Sequence, residues 1–142
     1  MLRLLADHGR MSWADLGREV DLSPPAVAER VRKLEEAGVI EGYAARLDPG
    51  TLGLEVLAFV WVSADAPQAH DALLRWSDER PSVQECHSLA GRHDYLLKVR
   101  CRDTADLERL VRGDLRSIPG ISSTETHVVT STSKETTRLP TS

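Results

Sequence analysis

Apolar residues recur at helical spacing through the first part of the chain and then change rhythm. Leu2, Leu4 and Leu5 precede Gly9 and read as the end of a short apolar helix. Ser12 can cap a second helix whose apolar positions are Trp13, Leu16 and Val20. Leu22-Ser23-Pro24 stops that helix and starts a third. A serine hydroxyl accepts well from an orphan amide two or three residues on. Proline suits the first helical position, where no amide donor is needed. Val27, Val31 and Leu34 then share one face of the third helix, and Gly38 can take the left-handed position that closes it. Val39-Ile40 and Tyr43 to Leu47 would form the two strands of a wing. Three short helices and a hairpin are the plan of a winged helix-turn-helix, a unit that lays its second motif helix in the DNA major groove.

The second half alternates differently. Glu55 to Ser63 is a nearly continuous apolar run, suited to a strand covered on both sides. Ala69, Ala72, Leu73 and Trp76 place a helix within Ala66 to Glu79. Val83 to Leu89 and Tyr95 to Cys101 read as strands joined by Ala90-Gly91-Arg92-His93-Asp94. Asp103 or Thr104 can cap a helix bearing Leu107, Leu110, Val111 and Leu115. Ser123 to Ser133, rich in threonine and valine, reads as a last strand. The order β-α-β-β-α-β is the ferredoxin-like split motif. Two helices cover one face of such a sheet, so the other needs a partner, and a dimer at least is expected. The fold class is therefore α+β. Residues 1–46 are read as the helix-turn-helix domain, 47–55 as a linker, 56–134 as the sheet domain and 135–142 as a mobile polar tail.

Composition changes this picture in two places. Hydrophobic residues make up 41% of 142, enough for a globular core, and no apolar run is long enough to span a bilayer. The N-terminus lacks the pattern of a signal peptide, so a cytoplasmic location is expected. Cys86 and Cys101 are too few and too far apart for a zinc motif and read as two small packed thiols. No metal or other cofactor is expected. The formal charge is −4, and residues 1–50 hold seven basic and nine acidic side chains. Affinity for double-stranded DNA would therefore depend on the local placement of Arg30, Arg32, Lys33 and Arg46, and on a dimer that doubles the phosphate contacts.

Three segments carry a family resemblance. They are HGRMSWADLGREVDLSPPAVAERVRKLEEAGVIEGYAARLDPGTLGL, VQECHSLAGRHDYLLKVRCRD and IPGISSTETHVVTSTSK, in that order and over nearly the whole chain. They resemble the Lrp/AsnC, or feast/famine, family of bacterial and archaeal transcription regulators. The resemblance implies dimers formed through the C-terminal sheet, assembling into tetramers, octamers or rings. It also implies a small-molecule effector, usually an amino acid, bound between C-terminal domains. The family's first helix normally begins several residues earlier, so this chain is expected to start inside a longer reading frame. The family is commonly basic where Glu29 stands here.

The third helix turns Ser23, Pro25, Ala26, Glu29, Arg30, Arg32 and Lys33 outward. Ala26 could touch a thymine methyl and Glu29 could accept from a cytosine amino group. Arg30, Arg32 and Lys33 suit phosphate, and Arg46 in the wing suits phosphate or the minor groove. The bland alternative is a solvated face of helical ion pairs. Gly91-Arg92-His93-Asp94 matches the family's Gly-x-x-Asp effector loop. Asp94 would suit an ammonium group and the amides of Ala90 to His93 a carboxylate. Pro119, Gly120, Thr124 and Thr126 are expected to wall the same pocket. The alternative is an ordinary turn in which Gly91 supplies a positive φ.

Two other functions stay open on sequence alone. Sirohaem decarboxylases resemble the same frame, and His87, Arg92 and His93 keep an enzyme possible. A ligand sensor that has lost DNA binding would also fit the acidic N-terminal half. Neither histidine has a partner at metal-ligand spacing on a helix, and there is no nucleophile motif or phosphate-binding glycine loop. Regulation rather than catalysis is the expectation.

Overall fold

The computed structural model describes residues 1–140. It forms two compact units, Met1–Leu47 with the segment from Lys134 onward, and Asp48–Ser133.

The first unit is built on α1 (Leu2–Asp7), α2 (Trp13–Val20) and α3 (Pro24–Glu36). Ser12 Oγ accepts from the Asp15 amide at 3.1 Å, and Ser23 Oγ accepts from the Ala26 amide at 3.4 Å, so both serines cap as expected. Leu5, Leu16, Val27 and Val31 are the buried core, with Leu4, Met11, Val20, Leu22 and Ile40 packed around it. Trp13 departs from its expected core place and is 40% exposed, because Leu16 alone points α2 directly at Val27 and Val31. Leu34 is half-buried. Gly38 takes φ +69° just past α3, and the Val39 amide donates back to the Leu34 carbonyl at 2.9 Å. The strands expected at Val39-Ile40 and Tyr43–Leu47 are not formed: residues 41–48 have no regular structure. A lone two-stranded ribbon has too little packed face to hold itself. Here the segment is tied instead by Tyr43, whose hydroxyl donates to Glu35 at 3.1 Å.

Gly17 decides the angle between α2 and α3. A Cβ there would lie 2.4 Å from the Leu22 carbonyl oxygen. The missing side chain lets the turn fold back onto α2. Asp21 then turns the chain at φ 53°, and its amide donates to the Gly17 carbonyl.

The second unit runs β1 (Val56–Ala64), α4 (Pro67–Asp78), β2 (Val83–Ser88), β3 (Tyr95–Cys101), α5 (Thr104–Glu108) and β4 (Ile121–Val128). Its sheet has the order β2-β3-β1-β4, all antiparallel. The last strand is earlier and shorter than the expected Ser123–Ser133. The helix after Asp103 widens into a π-type turn over Arg109–Asp114 and tightens over Leu115–Ser117. Leu107, Leu110, Val111 and Leu115 are all in the core, as their helical spacing predicts. Asp103, not Thr104, caps α5, accepting from the Asp106 amide at 2.7 Å. The core joins Ala58, Val60 and Val62 of β1, Leu73 and Trp76 of α4, and alternate β3 residues Tyr95, Leu97, Val99 and Cys101. The expected linker begins as a hydrogen-bonded turn: the Leu54 amide donates to the Pro49 carbonyl at 2.8 Å, and Asp48 accepts from the Thr51 amide at 2.7 Å. Beyond β4 the Val129 amide donates to the Leu57 carbonyl at 2.9 Å. The segment expected as a mobile tail is grouped with the first unit, where Arg138 pairs with Asp7. Residues 141 and 142 of that segment lie outside the described residues.

Candidate functional site

The residues singled out in the first unit share the exposed side of α3. Ser23, Pro25, Ala26, Glu29, Arg30, Arg32 and Lys33 are all exposed, as is Arg46 in the irregular segment that follows. The cations are not equivalent. Arg32 donates to Glu29 through Nε at 3.1 Å and through Nη2 at 2.9 Å, and also pairs with Glu36. Lys33 lies 3.4 Å from the same Glu29 carboxylate. These bonds hold Glu29 below the ordinary glutamate range, Arg32 contributing most, and hold Arg32 correspondingly high. Among the described residues Arg30 carries no ion pair, so it presents the least neutralised charge on this face. The helical ion pairs of the bland alternative are thus present. Exposed helical pairs of this kind are weak, so a phosphate can displace them.

In the second unit the loop between β2 and β3 is fixed at both ends. The Leu89 amide donates to the Asp94 carbonyl at 2.8 Å, and the Asp94 amide donates to the Val62 carbonyl at 2.9 Å. The Asp94 carboxylate accepts from the Ala64 amide at 2.8 Å. One of its oxygens is therefore already engaged in clamping β1. The adjoining Tyr95 is buried, and its hydroxyl is hydrogen-bonded to His70 Nδ1 at 2.9 Å. Gly91 does not use a positive φ, and a Cβ on it would meet nothing within 4 Å, so the chain's own backbone does not demand glycine there. Ala90, Gly91, Arg92 and His93 rim an open depression of about 510 Å³. Trp61, Leu89, Glu125 and His127 complete it.

The residues expected to wall this loop divide between the two faces of the sheet. Directly paired strand residues share a face. Trp61 pairs with Glu125, on the face away from the helices, beside the loop. Thr124 pairs with Val62 and Thr126 with Val60, on the helix side. There the two threonines line a separate groove with Thr104, Leu107, Glu108, Val111, Arg112 and Arg116. Gly120, beside Pro119, has φ +90°, and a Cβ would lie 2.9 Å from those of Ala66 and Ala69. It serves the close approach of β4 to the start of α4. A single chain therefore does not bring Thr124 and Thr126 to the depression beside the loop.

Both units match known families. The ligand-binding domain description of the Lrp/AsnC regulators covers residues 57–139, and a winged helix-turn-helix DNA-binding description covers residues 1–41. The chain belongs to the Lrp/AsnC family. It is 37% identical over 141 residues to the leucine-responsive regulatory protein of Escherichia coli, covering 98% of this chain and 86% of that protein. A transcriptional regulator of Neisseria meningitidis solved with L-methionine superposes with a TM-score of 0.93 at 33% identity, covering 98% of this chain and 91% of that one. A feast or famine regulatory protein of M. tuberculosis, also complexed with L-methionine, gives 0.86 at 32% identity, covering 94% and 90%. E. coli AsnC gives 0.87 at 26% identity, covering 96% and 91%. A DNA-binding regulator of this family, with a winged helix-turn-helix and an α+β sheet domain, is therefore the identity of the chain.

Sequence reasoning missed five residues around the loop: Trp61, Ser63, Leu89, Glu125 and His127. Strand alternation carried the signal, because Thr124 and Thr126 on one face oblige Glu125 to the other. Trp61 is half-buried on that face, whereas Trp76 is in the core. Gly17 was missed because a glycine inside a helical pattern carries no local mark of what approaches it. No helix among the described residues is long and apolar enough to cross a membrane.

Proposed function

We propose that this Lrp/AsnC regulator contacts DNA through α3 and takes an amino acid at the Ala90–Asp94 loop as its effector. The observation that carries the reading is the coexistence, in one chain, of a doubly capped helix-turn-helix and a β2–β3 loop whose residues Ala90 to His93 rim an open depression next to Asp94. Ser23, Pro25, Ala26 and Glu29 face the bases on this reading, and Arg30, Arg32, Lys33 and Arg46 the phosphates. The loop amides of Ala90 to His93 would meet the effector carboxylate. The free oxygen of Asp94 would meet its ammonium group. Pro119, Gly120, Thr124 and Thr126 would complete the site from a second copy of the chain, since within one chain the threonines lie across the sheet. The protein then acts as a homodimer or larger assembly in the cytoplasm, and by binding rather than by catalysis. The solved relatives that hold L-methionine, and the leucine-responsive relatives, make these two amino acids the first to test.

The test combines a mobility shift on the DNA upstream of the chain's own gene with calorimetry against the twenty amino acids. Binding of one amino acid, together with a change in DNA affinity or assembly when it is present, upholds the reading. DNA binding with no response to any amino acid would remove the effector half of it, and no DNA binding would remove the other.

A further inference from the structure

His93 holds the loop in a way that its neighbours in the sequence do not. Its side chain is only 15% exposed, although it projects from a surface loop. Nδ1 is hydrogen-bonded to Ser63 Oγ on β1 at 3.0 Å. Nε2 lies 3.6 Å from the Glu125 carboxylate on β4, beyond hydrogen-bond reach, a pair that is ionic when the imidazole is protonated. The ring rests against the Trp61 indole, centroids 5.6 Å apart and planes tilted by 38°. The imidazole thus spans two adjacent strands and an aromatic floor while carrying the middle of the loop. The charged groups near it are Arg92 and Asp94 on the loop itself and Glu125 and His127 on β4; β1 presents only the neutral Ser63 and Trp61.

We infer that His93 is a positioning residue of the effector loop: by bolting it to Ser63 of β1 and Glu125 of β4, it fixes the arrangement in which the Ala90–His93 amides and Asp94 meet a ligand. The inference rests on the proposed effector site, but the bolt itself can be measured without any ligand. The backbone clamps at Leu89 and Asp94 hold the ends of the loop. The bridges from His93 hold its middle. Without them, the side chains of residues 90–92 keep only the charge attraction between Arg92 and Glu125, and the loop would sample several shapes. A ligand would then have to select one, and its affinity would fall by the fraction of time that shape is populated.

Hydrogen exchange on the full-length protein reads the bolt directly. In His93→Ala, amides 90–93 should exchange roughly five- to tenfold faster, the loss expected of about one ordinary hydrogen bond. Amides in the centres of β1 and β3 should be unchanged. His93→Asn keeps a polar group near the Nδ1 position, so it should recover part of the protection through Ser63 but none of it in the double variant with Ser63→Ala. The milder single variants Ser63→Ala and Glu125→Gln should each loosen the loop part-way, which guards against a fold defect in His93→Ala. Unchanged exchange of the loop in His93→Ala would overturn the inference. Calorimetry with L-methionine and L-leucine supplies the second arm. Weakening in step with the loop's exchange supports the positioning role, and undiminished affinity with a loosened loop refutes it. If wild type binds none of the twenty amino acids, the effector reading fails, and the exchange result alone decides whether His93 positions the loop.

Discussion

Gly17 and Asp94 each do something their residue type alone would not reveal. At Gly17 the neighbour is a backbone carbonyl, which cannot swing aside. Gly17→Ala should therefore cost the first unit about 1–3 kcal/mol, the range for an overpacked position, despite the better helix propensity of alanine. Thermal melting followed by circular dichroism, with exchange of the α2 and α3 amides, checks this; an unchanged or raised melting temperature would contradict it. Asp94 both clamps Ala64 and is offered to the ligand. Asp94→Ala leaves the Ala64 amide without its acceptor, at a cost of about 1–3 kcal/mol, so it would confuse a fold defect with a binding defect. Asp94→Asn keeps an acceptor and removes the charge. It should leave the melting temperature nearly unchanged and weaken amino-acid binding by roughly thirtyfold or more, the lower end for truncating a buried charge contact. Glu125 titrates below the ordinary glutamate range, first because of its bond to His127 and then through His93 and Arg92. A depressed folded-state value means that this carboxylate contributes stability above the unfolded glutamate pKa. The contribution is lost as pH falls through the lower folded value. Acid melts of wild type should thus be steeper over that interval than those of Glu125→Gln.

At the scale of elements, α3 and the sheet show what periodicity can and cannot carry. The caps of α2 and α3 and the closing Gly38 were legible, because each is a local rule between residues three or four apart. Strand β3 was legible to the residue, since its alternation is undisturbed from Tyr95 to Cys101. The wing was not: a hairpin is stabilised by what it packs on, and the alternation of Tyr43 to Leu47 says nothing of that. Sequence order alone groups Thr124 and Thr126 with the loop, whereas the pleat of β4 sends them to the opposite face. On α3 the outward positions were legible, but not their pairing, which makes Arg30 and Arg32 different. Arg30→Ala should lower the magnitude of the salt slope of DNA binding by about one for each phosphate that is no longer neutralised. Glu29→Gln releases Lys33 and leaves Arg32 held by Glu36 alone, and should strengthen binding to unrelated DNA while steepening its salt dependence. Titrations of a specific and an unrelated duplex at several salt concentrations check both; unchanged slopes in Glu29→Gln would mean that the pairing with Glu29 is irrelevant to DNA.

For the whole molecule, the face of the sheet opposite the helices is the main question. Phe59, Trp61 and Leu96 are half-buried on it, with Glu85 paired to Lys98 at 3.1 Å and to His87 at 3.0 Å. We expect a second copy of the chain to cover it. Sedimentation at micromolar concentration should give a dimer or a larger species, and Trp61→Glu should shift it toward monomer; a monomeric wild type would rule this out.

One consequence follows from the way β1 and β4 lie side by side. The polypeptide passes Leu57 at the start of β1 and Val129 just beyond β4, two points joined by a hydrogen bond. Residues 134–140 are grouped with the first unit, although the ligand-binding family description runs on to residue 139. A protease that cuts at the Asp48–Leu54 turn severs one crossing and leaves the other. What then ties residues 1–48 to the rest is the exposed segment 134–140 and its Arg138–Asp7 pair, a weak surface contact. The two fragments should therefore separate on size exclusion under native conditions, and co-elution would mean that the last segment holds the first unit by more than that pair.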